Sequence, residues 1–209
     1  MMSDVLVFDT EKLAAAKTPP KKLFKIHSLV PVTDFVLLEE LPEFDFDNPP
    51  VDPGILASEL TETMKALNGL GLSANQCGLP YRVFVMGNPD GGEIVAYFNP
   101  KIISQSGEQY GPEGCLSFPK LFISVKRSDT IEVEYQDFRG ERQTIKYSGL
   151  TSRCFQHELD HMNGILYTRR AGSLAVQQAI KKKKKTEYKI ERNLKILERL
   201  EKKAKGKIK

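Results

Sequence analysis

Gln156-His157-Glu158-Leu159-Asp160-His161 constrains this chain more than any other stretch, because it sets two of only three histidines four residues apart. In a helix those two lie one turn apart on the same face, about 6 Å along the axis, where two imidazoles can share one metal ion. Glu158 stands one step round from His157 and can lean over the ion's open side, the place a general base must occupy. The same stretch also reads as a surface helix turn with an ordinary mix of His, Glu and Asp, since H-E-x-x-H fixes only three positions. The neighbouring residues bear on the choice. Leu150, Cys154, His157, Glu158 and His161 recur at i, i+4, i+7, i+8 and i+11, so a helix from Gly149 turns this side inward, and Gly164 is its natural stop.

With 209 residues, 40% of them hydrophobic, the chain fits one globular domain plus extensions. No run of 18 apolar residues exists, and the first thirty residues lack the pattern of a signal peptide. The expectation is a soluble, cytoplasmic protein with no membrane contact. Cys77, Cys115 and Cys154 are an odd, widely spaced set, which argues against a disulfide framework and leaves each as a buried thiol or a ligand. The net charge of +4 hides an asymmetry: residues 181–209 hold 14 Lys/Arg against 4 Asp/Glu, so the rest is net acidic. A basic arm on an acidic body suits a polyanion or a solubilising end; no specific DNA binding is expected.

Residues 1–50 are read as an N-terminal wrap without long regular elements, bounded by the proline-rich stretches 18–22 and 48–53, with His27 isolated from any metal spacing. Asp52-Pro53 then opens a helix whose Leu56, Leu60, Met64 and Leu67 share one face, and Asn68-Gly69 ends it. Gly69 to Gln76 is rich in small residues but lacks the Lys-Ser/Thr of a phosphate loop; it reads as a tight turn or as backbone that a ligand approaches closely. Short β-rich runs follow at 83–86, 95–98, 122–125, 130–135 and 143–147, with turns at 88–92 and 137–140, so antiparallel pairing is expected. Glu113-Gly114-Cys115-Leu116-Ser117 sits among them as a loop-like stretch. From Ser173 to about Leu200 one or two helices are expected, with Ile190, Leu194, Leu197 and Leu200 as an apolar stripe.

Taken together, Gly69 to Gln76, Glu113 to Ser117 and Gln156 to His161 resemble, in order, the three signature segments of the peptide deformylases: G-x-G-x-A-A-x-Q, E-G-C-L-S and Q-H-E-x-D-H. The second and third match completely; the first has Ser73 in place of alanine, a hydroxyl that needs a partner if buried. The resemblance covers roughly residues 55–170. It implies an α+β fold of antiparallel sheets packed around a central metal-binding helix, in a deformylase-like unit at 51–172; the basic helical C-terminal extension at 173–209 is read from the sequence itself and is unusual for the family. It implies that Cys115, His157 and His161 bind one divalent metal, Fe(II) in the cell and Zn(II), Ni(II) or Co(II) in isolated protein. Glu158 is the implied catalytic acid/base, and Gln76 with the Leu116 amide the implied donors to the reacting carbonyl. The peptide is expected to add as a strand beside Leu70 and Gly71, with its methionine in an apolar pocket near Gly114 and Cys154. Asp160 is expected to support the site, either accepting from an imidazole N–H or anchoring the helix to nearby backbone.

The residue types agree with that chemistry, since two imidazoles and one thiolate leave a tetrahedral ion its fourth position for water. The implied reaction removes the N-formyl group from the formyl-methionine of newly made polypeptides and releases formate. Two other readings remain. One is an H-E-x-x-H metallopeptidase, which takes its third ligand from downstream, where this chain has no histidine. The other is a ribosome- or nucleic-acid-binding protein with a structural metal site, carried by Lys181 to Lys209.

Overall fold

The computed structural model describes residues 28–87 and 93–205, with side chains as far as Arg199. His27, the proline-rich stretch at 18–22 and the expected turn at 88–92 lie outside the described residues. Helix α1 spans Pro53–Ala66 and starts where the sequence places it: the Asp52 carboxylate accepts from the Ile55 amide at 2.8 Å, and Pro53 takes the first turn, where a missing N–H is harmless. Asn68, at φ 55°, turns the chain out of the helix.

Seven strands follow among the described residues. β1 (Gly71–Ser73), β2 (Val83–Gly87), β3 (Ile94–Ser106), β6 (Thr130–Gln136) and β7 (Arg142–Ser148) form one antiparallel sheet in the order β1-β2-β3-β6-β7. β4 (Gln109–Cys115) and β5 (Phe118–Arg127) pair separately. The turn at 137–140 joins β6 to β7, with the Asp137 carboxylate accepting two backbone N–H groups and Gly140 at φ 82°. Two strands lie where the sequence suggests a turn and a loop. β1 flanks Leu72 with Gly71 and Ser73, which have little strand preference, and pairing with Phe84 to Met86 supplies what they lack. β4 carries Gly111, Pro112 and Gly114, which weaken a strand, yet β5 pairs with it along its length, with a register shift between Glu113 and Cys115.

Period-two alternation sorts the core. Along β2, Val83 and Val85 pack with Leu56, Leu60 and Met64 of α1, while Phe84 and Met86 pack with Phe155, Leu159 and Met162 of helix α2 (Gly149–Met162). That strand is covered on both faces, which is why it reads as an unbroken apolar run. α2 is buried continuously from Ser152 to Met162, so it needs polar partners on every side and not only toward one face.

Residues 28–52 contain a single 3₁₀ turn, Phe35–Leu37, and otherwise wrap irregularly. Their backbone ties α2 to the segment after β1: Val30 donates to the Gln76 carbonyl, Leu41 to that of Met162, and the Asn75 amide bridges the Val36 and His161 carbonyls. Helix α3 is continuous from Ser173 to Lys205, longer than the sequence suggests. Its first turns anchor through Ala175, Val176 and Ala179 on Leu121, Ile123, Val125 and Tyr167. Ile190, Leu194 and Leu197 further along are 45–55% exposed.

Candidate active site

α2 and the end of β4 bring one thiol and two imidazoles together. The ligand atoms of Cys115, His157 and His161 lie within 4.8 Å of one another, and no other candidate metal cluster occurs among the described residues. His161 Nε2 is 3.4 Å from the Cys115 sulfur. His157 Nδ1 donates to Glu113 Oε2 at 3.0 Å, which fixes its tautomer and leaves Nε2 for the cysteine side. Burial raises the Cys115 thiol's pKa, but the two imidazoles outweigh it and hold the group well below its usual value. A sulfur held as thiolate beside two imidazole nitrogens is the donor set of a borderline divalent ion, and these three residues fit it.

Glu158, one residue from His157, is 4% exposed. Burial raises its carboxyl pKa, opposed by both imidazoles and by Ser73. The Ser73 hydroxyl donates to Glu158 Oε2 at 2.7 Å, so the serine that replaces the usual alanine finds its buried partner in this carboxylate. Its other oxygen, Oε1, lies against Gly71: a Cβ at that position would come within 2.5 Å. Gly71 is glycine because the carboxylate occupies the space.

Behind the histidines runs a buried ionic chain that the sequence does not announce. Glu113 receives Arg127 at 2.8 and 2.9 Å, Arg153 at 2.9 Å and His157 at 3.0 Å. Burial opposes its ionisation, but Arg127 and His157 prevail and bring its pKa down to about 2. Arg127 reaches on to Asp160 Oδ2 at 2.6 Å, and Arg170 closes the chain from the outer side. Asp160 is held by the side chains of Arg127 and Arg170 rather than by an imidazole or a backbone group, and the His157 N–H goes to Glu113 instead. Glu113, Asp160, Arg127 and Arg153 are each too buried to stand unpaired, a fact that only the fold reveals. Arg127→Met removes the shared partner of Glu113 and Asp160, all three about 95% buried, and should cost about 3–5 kcal/mol. Thermal melting checks this: a fall of roughly 6 °C or more is expected, and a shift under about 2 °C would show that the network carries little.

Gln76, 1% exposed, sits beside the cysteine. Its Oε1 accepts the Ser73 N–H at 3.0 Å; its Nε2 donates to Ser117 Oγ at 2.9 Å and faces the Cys115 sulfur at 3.4 Å. A cavity of about 420 Å³ opens over these groups, and Leu70, Gly71, Gly114, Leu116 and Cys154, all singled out from the sequence, line it with Gln76 and Glu158. Leu150 stands at the cavity too, 49% exposed and not inward like its helix neighbours.

The family model described as Polypeptide deformylase matches residues 27–177, a stretch that takes in part of the N-terminal wrap and the start of α3. A peptide deformylase of Wolbachia pipientis subsp. Culex pipiens is 42% identical over 142 residues, 62% of this chain and 79% of the relative. Among solved structures, the peptide deformylase of Thermus thermophilus superposes with a TM-score of 0.70 at 32% identity, covering 76% of this chain and 93% of that one. A class I type b peptide deformylase of Acinetobacter baumannii, bound to Met-Ala-Ser, does so with 0.65 at 26% identity, over 71% and 100%. The family model spans well over half of the chain, and the fold is shared with solved deformylases at up to a TM-score of 0.70 among these, so the chain belongs to the peptide deformylase family.

Proposed function

We propose that Cys115, His157 and His161 hold one divalent metal ion and that Glu158 works beside it as acid/base, removing the N-formyl group from newly made polypeptides. The observation that carries this reading is the approach of one thiol and two imidazoles to within 4.8 Å, with a buried carboxylate alongside and no fourth protein ligand in the cluster among the described residues. A structural site would want that fourth ligand, and an H-E-x-x-H peptidase would take its third from downstream instead of from Cys115.

When bound, the ion supplies Lewis acidity, which makes water a nucleophile near neutral pH and polarises the carbonyl. Glu158 accepts the proton of the attacking water and returns it to the departing nitrogen; water adds to the formyl carbon, the C–N bond breaks, and formate and a free amine leave. Burial prepares Glu158 for both steps by raising its proton affinity. Ser73 holds Oε2 in place, and Gly71 lets Oε1 stand beside the substrate. Gln76 Nε2 and the Leu116 N–H meet the charge that develops on the carbonyl oxygen. Their partners fix the Gln76 amide the right way round, since Ser73 occupies Oε1 and leaves the NH₂ group toward the sulfur. β1 ends its sheet, so the peptide can add along Leu70 and Gly71, with methionine in the apolar pocket by Gly114 and Cys154.

Gly71→Ala tests the fit of Glu158. The new methyl group pushes the carboxylate aside, and a displacement of about 1 Å lowers kcat by up to about 10²-fold. An unchanged kcat for formyl-Met-Ala-Ser would show that Glu158 has room to spare.

The sulfur and nitrogen donors suit Fe(II), Zn(II), Co(II) and Ni(II) alike; Fe(II) is the proposed native ion. Reloading stripped protein without oxygen should give at least about tenfold faster turnover with Fe(II) than with Zn(II), one power of ten in rate being about 1.4 kcal/mol of barrier. Equal rates would remove the case for iron. The chain has three free cysteines, and no helix among the described residues is long and apolar enough to cross a membrane. The proposed place of work is the cytoplasm, and recovery of the chain outside the soluble cell fraction would overturn that. The lysine-rich part of α3 is proposed to meet ribosomal RNA near emerging chains, with affinity falling steeply as salt rises. Ribosome binding at low salt should weaken for a chain ending at Ile180; equal binding would rule the contact out.

A further inference from the structure

A second groove lies beside the catalytic cavity and shares two of its lining residues. Lys120 and Phe122 line that cavity and also a smaller one of about 140 Å³ between β5 and α3. Phe122 is 67% exposed, and its ring lies over Gly114, where an added Cβ would approach within 2.7 Å. The ring is therefore a saddle between the two. On the far side α3 contributes Lys182, Lys183, Thr186 and Ile190. The anchoring of Ala175, Val176 and Ala179 on β5 carries these lysines on fixed backbone. Lys120 itself has φ 62°, a left-handed backbone that costs energy for a residue with a side chain and persists only where the surroundings hold it. Against three lysines the groove has one acid, Glu187, 3.9 Å from Lys183 Nζ. Its lining sets apolar Phe122, Ala179 and Ile190 among the lysines, and it shares Lys120 and Phe122 with the cavity over the Cys115, His157 and Glu158 side chains.

We propose that this groove is a specificity surface for the formylated peptide itself, receiving residues downstream of the methionine and favouring stretches rich in Asp and Glu. The inference rests on the deformylase reading. An extended chain advances about 3.3 Å per residue, so positions four to seven lie roughly 10 to 20 Å beyond the methionine and can cross the Phe122 saddle. Carboxylates there meet the lysines, while the exposed ring and Ile190 cover the intervening methylenes.

The test compares formyl-Met-Ala-Ser with three extensions of it that carry four Asp, four Asn or four Lys residues. At low salt the Asp peptide should show a KM about 3- to 10-fold below that of the Asn peptide, the Lys peptide a higher one, and kcat should stay level, since exposed ion pairs contribute modestly and uniformly. Half-molar salt should erase the difference. In the Lys182→Glu/Lys183→Glu double variant the order should invert, with formyl-Met-Ala-Ser still hydrolysed at the native rate. Equal KM values for all three extensions, with the tripeptide turned over normally, would overturn the groove; so would an Asp preference that survives in the double variant. Equal KM values joined to salt-sensitive binding of a uridine oligomer, lost in the double variant, would give the groove to RNA. No turnover of the tripeptide would instead overturn the deformylase reading beneath it.

Discussion

Replacing Glu158 by Gln is expected to lower kcat by about 10²- to 10⁴-fold while the metal content stays at that of the native chain. The change removes the group that takes and returns the proton, but leaves Cys115, His157 and His161 untouched. Glutamine has nearly the same shape and can still accept from the Ser73 hydroxyl, so the space beside Gly71 stays filled. A Glu158→Gln chain with native turnover would remove the acid/base role. One that lost its metal as well would make Glu158 part of the ligand environment rather than the proton carrier.

Gln76→Ala should cost about 10²- to 10³-fold in kcat, the effect of losing one donor to a developing oxyanion. The side chain is buried, and both ends of its amide are engaged, so its NH₂ group is aimed before substrate arrives. Because that donor acts chiefly in the transition state, the KM for formyl-Met-Ala-Ser should change little. A loss of only a few-fold would reassign Gln76 to structure, where capping the Ser73 amide would be its work.

The chemistry of this site was legible because it rests on residue types at local spacing. His157 and His161 share a helix face by arithmetic, and the α1 boundary follows from Asp52, Pro53 and Asn68. What was hidden depends on contacts distant in sequence. β4 reads as a loop until β5 pairs with it, and β1 reads as a turn until β2 does. Glu113 lies two residues from Cys115, yet only the fold shows that it orients His157 and collects Arg127 and Arg153. The Ser73 hydroxyl posed a question in the sequence, and Glu158, 85 residues away, is the answer. Asp160 faces away from the metal ligands as the helix period requires, but its arginine partners come from β5 and from the turn after α2.

The most direct test of the central claim is formate release from formyl-Met-Ala-Ser by protein stripped of metal and then given Fe(II) without oxygen, or Ni(II). No release is expected from the stripped chain, and full recovery with either ion at one per chain. Release undiminished by stripping, or none with any ion despite one bound per chain, would contradict the claim.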